Sequence, residues 1–162
     1  MNRTAKLFLL LAVFAAQSVT VNAQVKKYKC MVQMTNYMGE GAYIVISLVD
    51  SKGNYEKTLY VLGPDKKWYN SLKEWHKFYS KKPANISATT GASVSGGERS
   101  VNVIEIDEAK VNKGYTLRFE SAVEDKNYNV KDLEIPLTTA NLSAKTDGTG
   151  TGYIRYVRLI PN

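Results

Sequence analysis

The sequence contains one cysteine and one histidine among its 162 residues. A single cysteine excludes an internal disulfide, so burial has to stabilise the fold. A zinc site takes several histidine or cysteine ligands, and this chain has one of each. A Ser/His/Asp triad would have to use His76, whose place beside Trp75 is typical of a structural histidine. We therefore predict no catalytic residues and no enzyme, and a hydrolase is the alternative that these absences disfavour.

Other familiar ligand-binding patterns are also missing. No Gly-Lys-Ser/Thr sequence ends a phosphate-binding loop, and the glycines of residues 148–152 do not reproduce its spacing. Asp50 and Asp147 lie in predicted turns without the regular ligand spacing of a calcium loop. The positive charge is not concentrated in one basic arm. We predict no metal site and no nucleic-acid partner.

One long apolar run occurs, at residues 7–16, after the basic residues Arg3 and Lys6. Val21 and Ala23 are small residues at the two positions that a signal peptidase reads. This layout predicts a secretory signal peptide, residues 1–23, that is cut after Ala23. The run is too short to cross a bilayer, which needs about 20 residues, so a retained anchor is the weaker alternative. We expect a periplasmic or secreted protein without stable membrane insertion.

The remaining chain has the size of one domain. Removal of 23 of the 162 residues leaves 139, and domains commonly have about 100–150 residues. The signal peptide takes two basic residues with it, which leaves 20 basic against 15 acidic residues, a net charge of +5. Such an excess favours anionic surfaces or small anionic ligands. We expect a single domain over residues 24–162.

Most of this domain alternates apolar and polar residues with a period of two, which is typical of half-buried strands. Residues 42–49 are nearly all apolar, which predicts a central strand covered on both sides. Pro136 predicts an edge or a bulge. The pattern indicates an all-β fold, an antiparallel β-sandwich of about seven strands. The predicted strands are residues 28–35, 42–49, 55–62, 100–106, 115–123, 128–137 and 153–160.

Residues 66–80 depart from this alternation and predict a helix. Their apolar residues recur at helical spacing, and Asp65 is a plausible N-cap. We expect this amphipathic helix to cover an edge of the sandwich with a solvated basic back; a ligand-binding face is the alternative. The apolar stripe consists of Trp68, Leu72, Trp75 and Tyr79.

Cys30 alternates with Tyr28 and Val32 on one face of the first predicted strand. This placement predicts a small buried apolar side chain. A reactive thiol is the less favoured alternative.

The longest stretch without periodicity is residues 83–99, which we expect to form an accessible loop outside the sandwich. Within it, Thr90-Gly91-Ala92-Ser93 resembles the short segment on which bacterial flavin transferases attach FMN. The resemblance makes the Ser93 hydroxyl the acceptor of the flavin phosphate. Gly91 and Ala92 are small enough for the active site of a second protein to close over that hydroxyl. The acidic residue that leads the pattern is replaced here by Ser87.

Several motifs in order resemble a bacterial family of predicted periplasmic proteins, catalogued as a domain of unknown function (DUF2271). They cover roughly residues 40–160. The motifs are residues 42–50 with Gly53, Lys57-Thr58-Leu59, Trp68-Tyr69 with Leu72 and Trp75, Thr90-Gly91-Ala92, and residues 114–120. The sequence departs from the family pattern at Ser93 for Thr, Ser87 for Asp and His76 for a second Trp.

The resemblance implies an immunoglobulin-like sandwich, similar to a domain of flagellar hook-capping proteins. Family members often accompany membrane flavoreductases and flavin transferases, which would be the partners. Our first hypothesis is therefore a redox partner with FMN attached at Ser93, where Trp68, Trp75 or Tyr79 could stack on the flavin ring. The second hypothesis is a non-redox binding or interaction module of the cell envelope with the same fold.

Overall fold

The computed structural model describes residues 24–143 and 147–162, in which nine strands form two sheets. The predicted signal peptide and its cut after Ala23 lie outside the described residues. The strands are β1 (Val25–Met34), β2 (Tyr43–Val49), β3 (Tyr55–Leu62), β4 (Thr90–Gly91), β5 (Arg99–Asp107), β6 (Thr116–Ala122), β7 (Tyr128–Pro136), β8 (Asp147–Thr149) and β9 (Ile154–Pro161).

The strand order is β5-β1-β9-β8 in the four-stranded sheet and β4-β3-β2-β6-β7 in the five-stranded sheet. All pairs are antiparallel except β3 with β4. The fold is a β-sandwich, as the alternation predicts. The seven long strands coincide with the seven predicted ones to within a few residues at their ends.

The main core lies between the two sheets. Strand β1 contributes Tyr28, Cys30, Val32 and Met34 from one face, each 4% exposed or less. Alternate residues of β2 and β6 meet them from the opposite sheet; these include Ile44, Ile46, Leu48, Leu117 and Phe119. Because side chains alternate across a strand, every second residue of each long strand enters this layer.

A second apolar layer covers the outer face of the five-stranded sheet. Helix α1 (Lys73–Lys81) packs there through Trp75, which is fully buried together with Val45 of β2 and Val61 of β3. Strand β2 is thus buried on both faces, which confirms the prediction for residues 42–49. The predicted helix covers a face of the sandwich rather than an edge, because its apolar stripe is wide enough to lie across several strands.

The predicted helix over 66–80 is divided into two parts. Lys66–Ser71 forms a 3-10 helix, and α1 begins after Leu72, whose backbone angles are not helical. The Asp65 side chain accepts a hydrogen bond from the Lys67 N–H, so the predicted cap is correct. The division allows Leu72 and Tyr69 both to enter the second layer. A five-residue helix, α2 (Thr139–Ser143), follows β7.

The outer face of the four-stranded sheet exposes apolar side chains. Val101 and Val103 of β5 are 56% and 43% exposed, and Ile160 of β9 is 37% exposed. Basic residues lie beside these apolar residues on neighbouring strands. Lys29 of β1 pairs with Val103 on one side and with Ile160 on the other, and Arg158 of β9 pairs with Met31 of β1. We call this surface the open face. In the part of the chain that the structure describes, no helix is long and apolar enough to cross a membrane.

Candidate functional site

The segment 83–99 is built into the edge of the five-stranded sheet rather than standing outside it. Residues Ser87–Thr89 form a 3-10 turn, and β4 then pairs in parallel with Val61 and Leu62 of β3. Val94 forms a bridge with Ala42 and is buried, as is Ile86. The prediction that residues 83–99 form an accessible loop outside the sandwich is therefore wrong. The sequence does not signal this arrangement, because two isolated buried residues, Ile86 and Val94, and a two-residue strand are too few to produce a regular alternation of apolar and polar residues.

The four residues of the predicted acceptor segment have different environments. The Thr90 hydroxyl donates to the Ile86 carbonyl at 2.8 Å, and Gly91 lies against the ring of Tyr60. Ala92 is exposed and Ser93 is half-buried. A Cβ on Gly41 would lie 2.6 Å from the Ser93 Oγ, so the absence of a side chain at Gly41 makes room for this hydroxyl.

The two tryptophans predicted to stack on a flavin differ in accessibility. Trp75 is fully buried: its ring stacks on Tyr79 at 5.0 Å and meets the edge of Tyr69 at 5.1 Å. Its Nε1 donates to Thr58 Oγ1 at 2.8 Å, so this indole belongs to the outer core layer. Trp68 is half-buried, with the Lys67 Nζ 5.1 Å from its ring centroid, and is the accessible member of the pair.

A cleft of about 350 Å³ adjoins the start of the segment, where the edges of the two sheets approach each other. Ala88 and Thr89 line it on one side, and Leu59 contributes an apolar wall. Lys27, Lys57, Val103 and Glu105 also line it, and the Glu105 carboxylate lies 3.5 Å from the Lys27 Nζ. The cleft therefore combines apolar surface with one ion pair and one further cation, Lys57. Such a lining suits a ligand with a flat apolar part and negative charge.

A buried carboxylate that the sequence pattern missed lies beneath α1. Glu120 is fully buried, and the hydroxyls of Tyr55 and Tyr128 donate to its two oxygens. The Tyr128 hydroxyl in turn accepts from the Glu74 N–H at 2.9 Å, and the Trp75 N–H also interacts with the carboxylate. The first N–H groups of a helix have no acceptor within the helix, and the apolar side chain of Leu72 cannot accept a hydrogen bond. Tyr128 and Glu120 therefore accept from the N–H groups of Glu74 and Trp75 instead.

Burial raises the pKa of Glu120, and the two tyrosine hydroxyls and nearby Arg118 counteract that increase. Arg118 is itself buried and donates from Nε to the Glu134 carboxylate at 2.8 Å. Alternation along the strand predicts that Arg118 and Glu120 point away from the core toward solvent. Their burial is a consequence of the helix on that face, and no residue spacing within the strand signals it.

A second buried carboxylate organises the glycine-rich turn near the end of the chain. Asp132 accepts hydrogen bonds from the backbone N–H groups of Thr151, Gly152 and Ile154 and from the Ser121 hydroxyl. A Cβ on Gly150 would lie 2.7 Å from Asp132 Oδ1, so this glycine permits the close approach. Gly150 and Gly152 thus contribute to the turn around Asp132, whereas Gly148 lies against Leu133 and Ile135.

The polar residues that the sequence does not favour as catalytic or metal-binding groups include Asp50, His76 and Asp147. The Asp50 carboxylate accepts from the N–H groups of Lys52 and Asn54 at 2.8 Å each, which closes the β2–β3 turn. His76 is half-buried on α1, with its Nε2 3.4 Å from the Ser80 Oγ. The side chain of Asp147 lies outside the described residues. Within residues 24–143 and 147–162, no three His, Cys, Asp or Glu side chains converge to hold a metal ion.

Comparison with known proteins gives one match. The model of the family described as "Predicted periplasmic protein (DUF2271)" matches residues 25–156. No curated protein and no solved structure matches the chain significantly. The matched residues include six of the seven long strands, the first three residues of β9, α1 and the predicted acceptor segment.

Proposed function

The chain belongs to the DUF2271 family of predicted periplasmic proteins, and on that premise we propose that it is an exported carrier of FMN, attached through the Ser93 hydroxyl. It exchanges electrons with a membrane flavoreductase and receives its flavin from a flavin transferase. The protein positions the cofactor and is not itself an enzyme. The observation on which this proposal depends is the position of Thr90-Gly91-Ala92-Ser93 at a sheet edge, where Ser93 is half-buried rather than enclosed.

The surroundings of Ser93 are compatible with modification by a second protein. The neighbouring Ala92 is exposed, and Gly41, which lies against the Ser93 Oγ, has no side chain. A transferase could therefore reach the Oγ without displacing a large side chain. The bridge between Val94 and Ala42 fixes the backbone next to the acceptor.

The residues present also suit the cofactor itself. The cleft beside Ala88 and Thr89 begins four residues before Ser93, which is at most about 14 Å of extended chain. Lys57 would offset the negative charge of the phosphate or of the reduced ring, whereas Lys27 is already engaged by Glu105 at 3.5 Å. Trp68 is the more accessible of the two tryptophans, whereas Trp75 is enclosed.

The attachment is a phosphoryl transfer. The Ser93 Oγ forms an ester bond with the phosphorus of the flavin, and the pyrophosphate bond of a flavin dinucleotide donor breaks to release a nucleoside monophosphate. A base of the transferase takes the serine proton. When bound, the flavin supplies the electron-transfer chemistry, and the protein supplies position and charge.

Labelling in a denaturing gel tests this proposal. The chain is co-expressed with a flavin transferase, and the band is examined for flavin fluorescence and for the mass increase of one FMN. We expect a fluorescent band from the wild type and a dark band from Ser93→Ala, because the acceptor oxygen is missing.

The matched control is Ser95→Ala, which removes an exposed hydroxyl two residues away and should stay fluorescent. Ser93→Thr keeps an acceptor oxygen and should also be labelled. A dark wild-type band without the mass increase refutes the proposal. Labelling of Ser93→Ala would place the flavin on another residue.

The open face favours a second candidate, a non-redox binding module of the cell envelope. It combines exposed Val101, Val103 and Ile160 with neighbouring Lys29. Exposed apolar side chains among cations are typical of surfaces that bind an anionic partner. An unlabelled wild-type band in the gel experiment would favour this function.

A further inference from the structure

The two sheets have four edge strands, and three of them are protected against pairing with another chain. Strand β4 has two residues and β8 has three, which is too short to offer a continuous edge. Strand β7 contains Lys131 and Pro136, and its register with β6 is irregular. Short length, lysine, proline and irregular register are the usual devices that prevent edge-to-edge association.

Strand β5 has none of these devices. It extends over nine residues, Arg99–Asp107, without proline, glycine or lysine, and its register with β1 is continuous from Gln33↔Arg99 to Val25↔Asp107. In the described part of the chain, β1 is its one strand neighbour. The cleft of about 350 Å³, lined by Val103 and Glu105, separates its other side from Ala88 and Thr89. The edge of β5 is therefore open.

The solvent-facing side chains of β5 complement each other under two-fold symmetry. Arg99, Val101, Val103 and Glu105 occupy alternate positions and are all exposed. If two β5 strands pair antiparallel with their centre at Asn102, Arg99 lies opposite Glu105 of the second copy. The same register places Val101 opposite Val103. Directly opposed residues on one face of an antiparallel pair are in contact, and each contact then occurs twice.

We propose that the protein forms a homodimer through antiparallel pairing of β5 with β5 of a second copy. The two four-stranded sheets then join into one continuous sheet of eight strands. Arg99 donates from Nε to the Gln33 Oε1 at 3.0 Å, and no ion pair within the described residues engages its terminal nitrogens. Glu105 lies 3.5 Å from the Lys27 Nζ, and its second oxygen is available to the opposing guanidinium.

A second copy is the occupant that this pattern favours over an unrelated peptide. An unrelated strand would need to supply an acid, two apolar residues and a base in matching order. The β5 strand supplies that order itself when it is read in the antiparallel direction. Pairing also covers Val101 and Val103, which are the most exposed apolar residues of the strand.

Charge reversal tests the dimer. The mature chain, residues 24–162, is studied by sedimentation velocity over a broad range of concentration. We expect the wild type to dimerise, and Arg99→Glu and Glu105→Arg each to weaken dimerisation by at least about tenfold, because each reversal creates two opposed like-charge pairs. The double variant Arg99→Glu/Glu105→Arg restores opposite charges and should dimerise like the wild type.

The matched control is Arg155→Glu, which reverses an exposed arginine on β9, two strands away from β5, and should leave the dimer unchanged. Circular dichroism and thermal unfolding establish that each variant is folded. A wild type that stays monomeric overturns the proposal, as does a dimer that persists in both single variants. Failure of the double variant to recover also contradicts this register.

Discussion

Glu120 shows how one side chain links the sheet to the helix above it. Its two oxygens accept from Tyr55 and Tyr128, and Tyr128 passes the connection on to the Glu74 N–H at the start of α1. A buried acceptor that receives two hydroxyl groups is costly to remove, since each donor then loses its partner. The helix N-terminus thus depends on a residue of β6.

We predict that Glu120→Ala lowers the free energy of unfolding by about 2–3 kcal/mol, because the hydroxyls of two half-buried tyrosines lose their acceptor. Urea unfolding monitored by circular dichroism measures the change. The control Glu40→Gln alters an exposed glutamate and should have an effect within about 0.5 kcal/mol. Equal stability of Glu120→Ala and the wild type would contradict the anchoring role.

The raised pKa of Glu120 also predicts a pH dependence. In the native state Glu120 stays protonated to a higher pH than in the unfolded chain, where its carboxyl group has the ordinary pKa of 4.5. The contribution of this group to stability is therefore fully present below 4.5 and is lost as pH rises through the raised pKa. The difference in unfolding free energy, wild type minus Glu120→Gln, should increase as the pH falls from 7 towards 4.5. A difference that stays constant would refute this sign.

At the scale of elements, α1 is held mainly by one aromatic residue. Trp75 is fully buried, contacts Tyr69 and Tyr79, and donates to Thr58 on β3. The basic residues of the helix, including Lys77, face solvent. Burial of the apolar stripe, rather than the ion pair of Lys77 with Glu74, fixes the helix on the sheet.

We predict that Trp75→Ala lowers the free energy of unfolding by about 3–5 kcal/mol, because it leaves a large cavity under the helix. Chemical denaturation of the purified variant measures the loss. Lys77→Ala changes an exposed residue of the same helix and should alter stability by less than about 0.5 kcal/mol. Similar stability of the two variants would show that α1 is not anchored through its indole.

At the scale of the whole molecule, both layers stabilise the sandwich without covalent links. Cys30 lies fully buried between the sheets and is the only cysteine of the chain. Burial raises the pKa of its thiol to about 12, so at neutral pH the native protein holds it protonated and enclosed. A thiol reagent can then reach it when the sheets separate.

We predict that Cys30 alkylation is slow in the native protein and fast in concentrated urea, as measured by mass spectrometry over time. A reducing agent should leave the unfolding curve unchanged, because no intramolecular disulfide exists to be broken. Rapid labelling under native conditions would mean that the sheets open locally near β1, and would contradict the enclosed position of the thiol.

The predicted acceptor segment, Thr90 to Ser93, illustrates the limit of sequence prediction at the candidate site. Its composition and order were readable, so Thr90-Gly91-Ala92-Ser93 could be singled out in advance. Its pairing with β3 and the bridge at Val94 could not, because both depend on residues distant in sequence. The same holds for Trp68 and Trp75: helical spacing groups them, whereas the break at Leu72 makes one accessible and the other enclosed.

The sequence by itself determined the seven long strands, the central position of β2 and the helical character of the segment before Ser80. These features arise from side-chain periodicity, which is a local property of the chain. The tertiary structure alone decided which polar residues are buried, because Glu120 and Asp132 acquire their partners from β3, β7, the turn at 150–154 and α1. It also decided which strand edge stays open, since strand order and edge protection depend on non-local pairing.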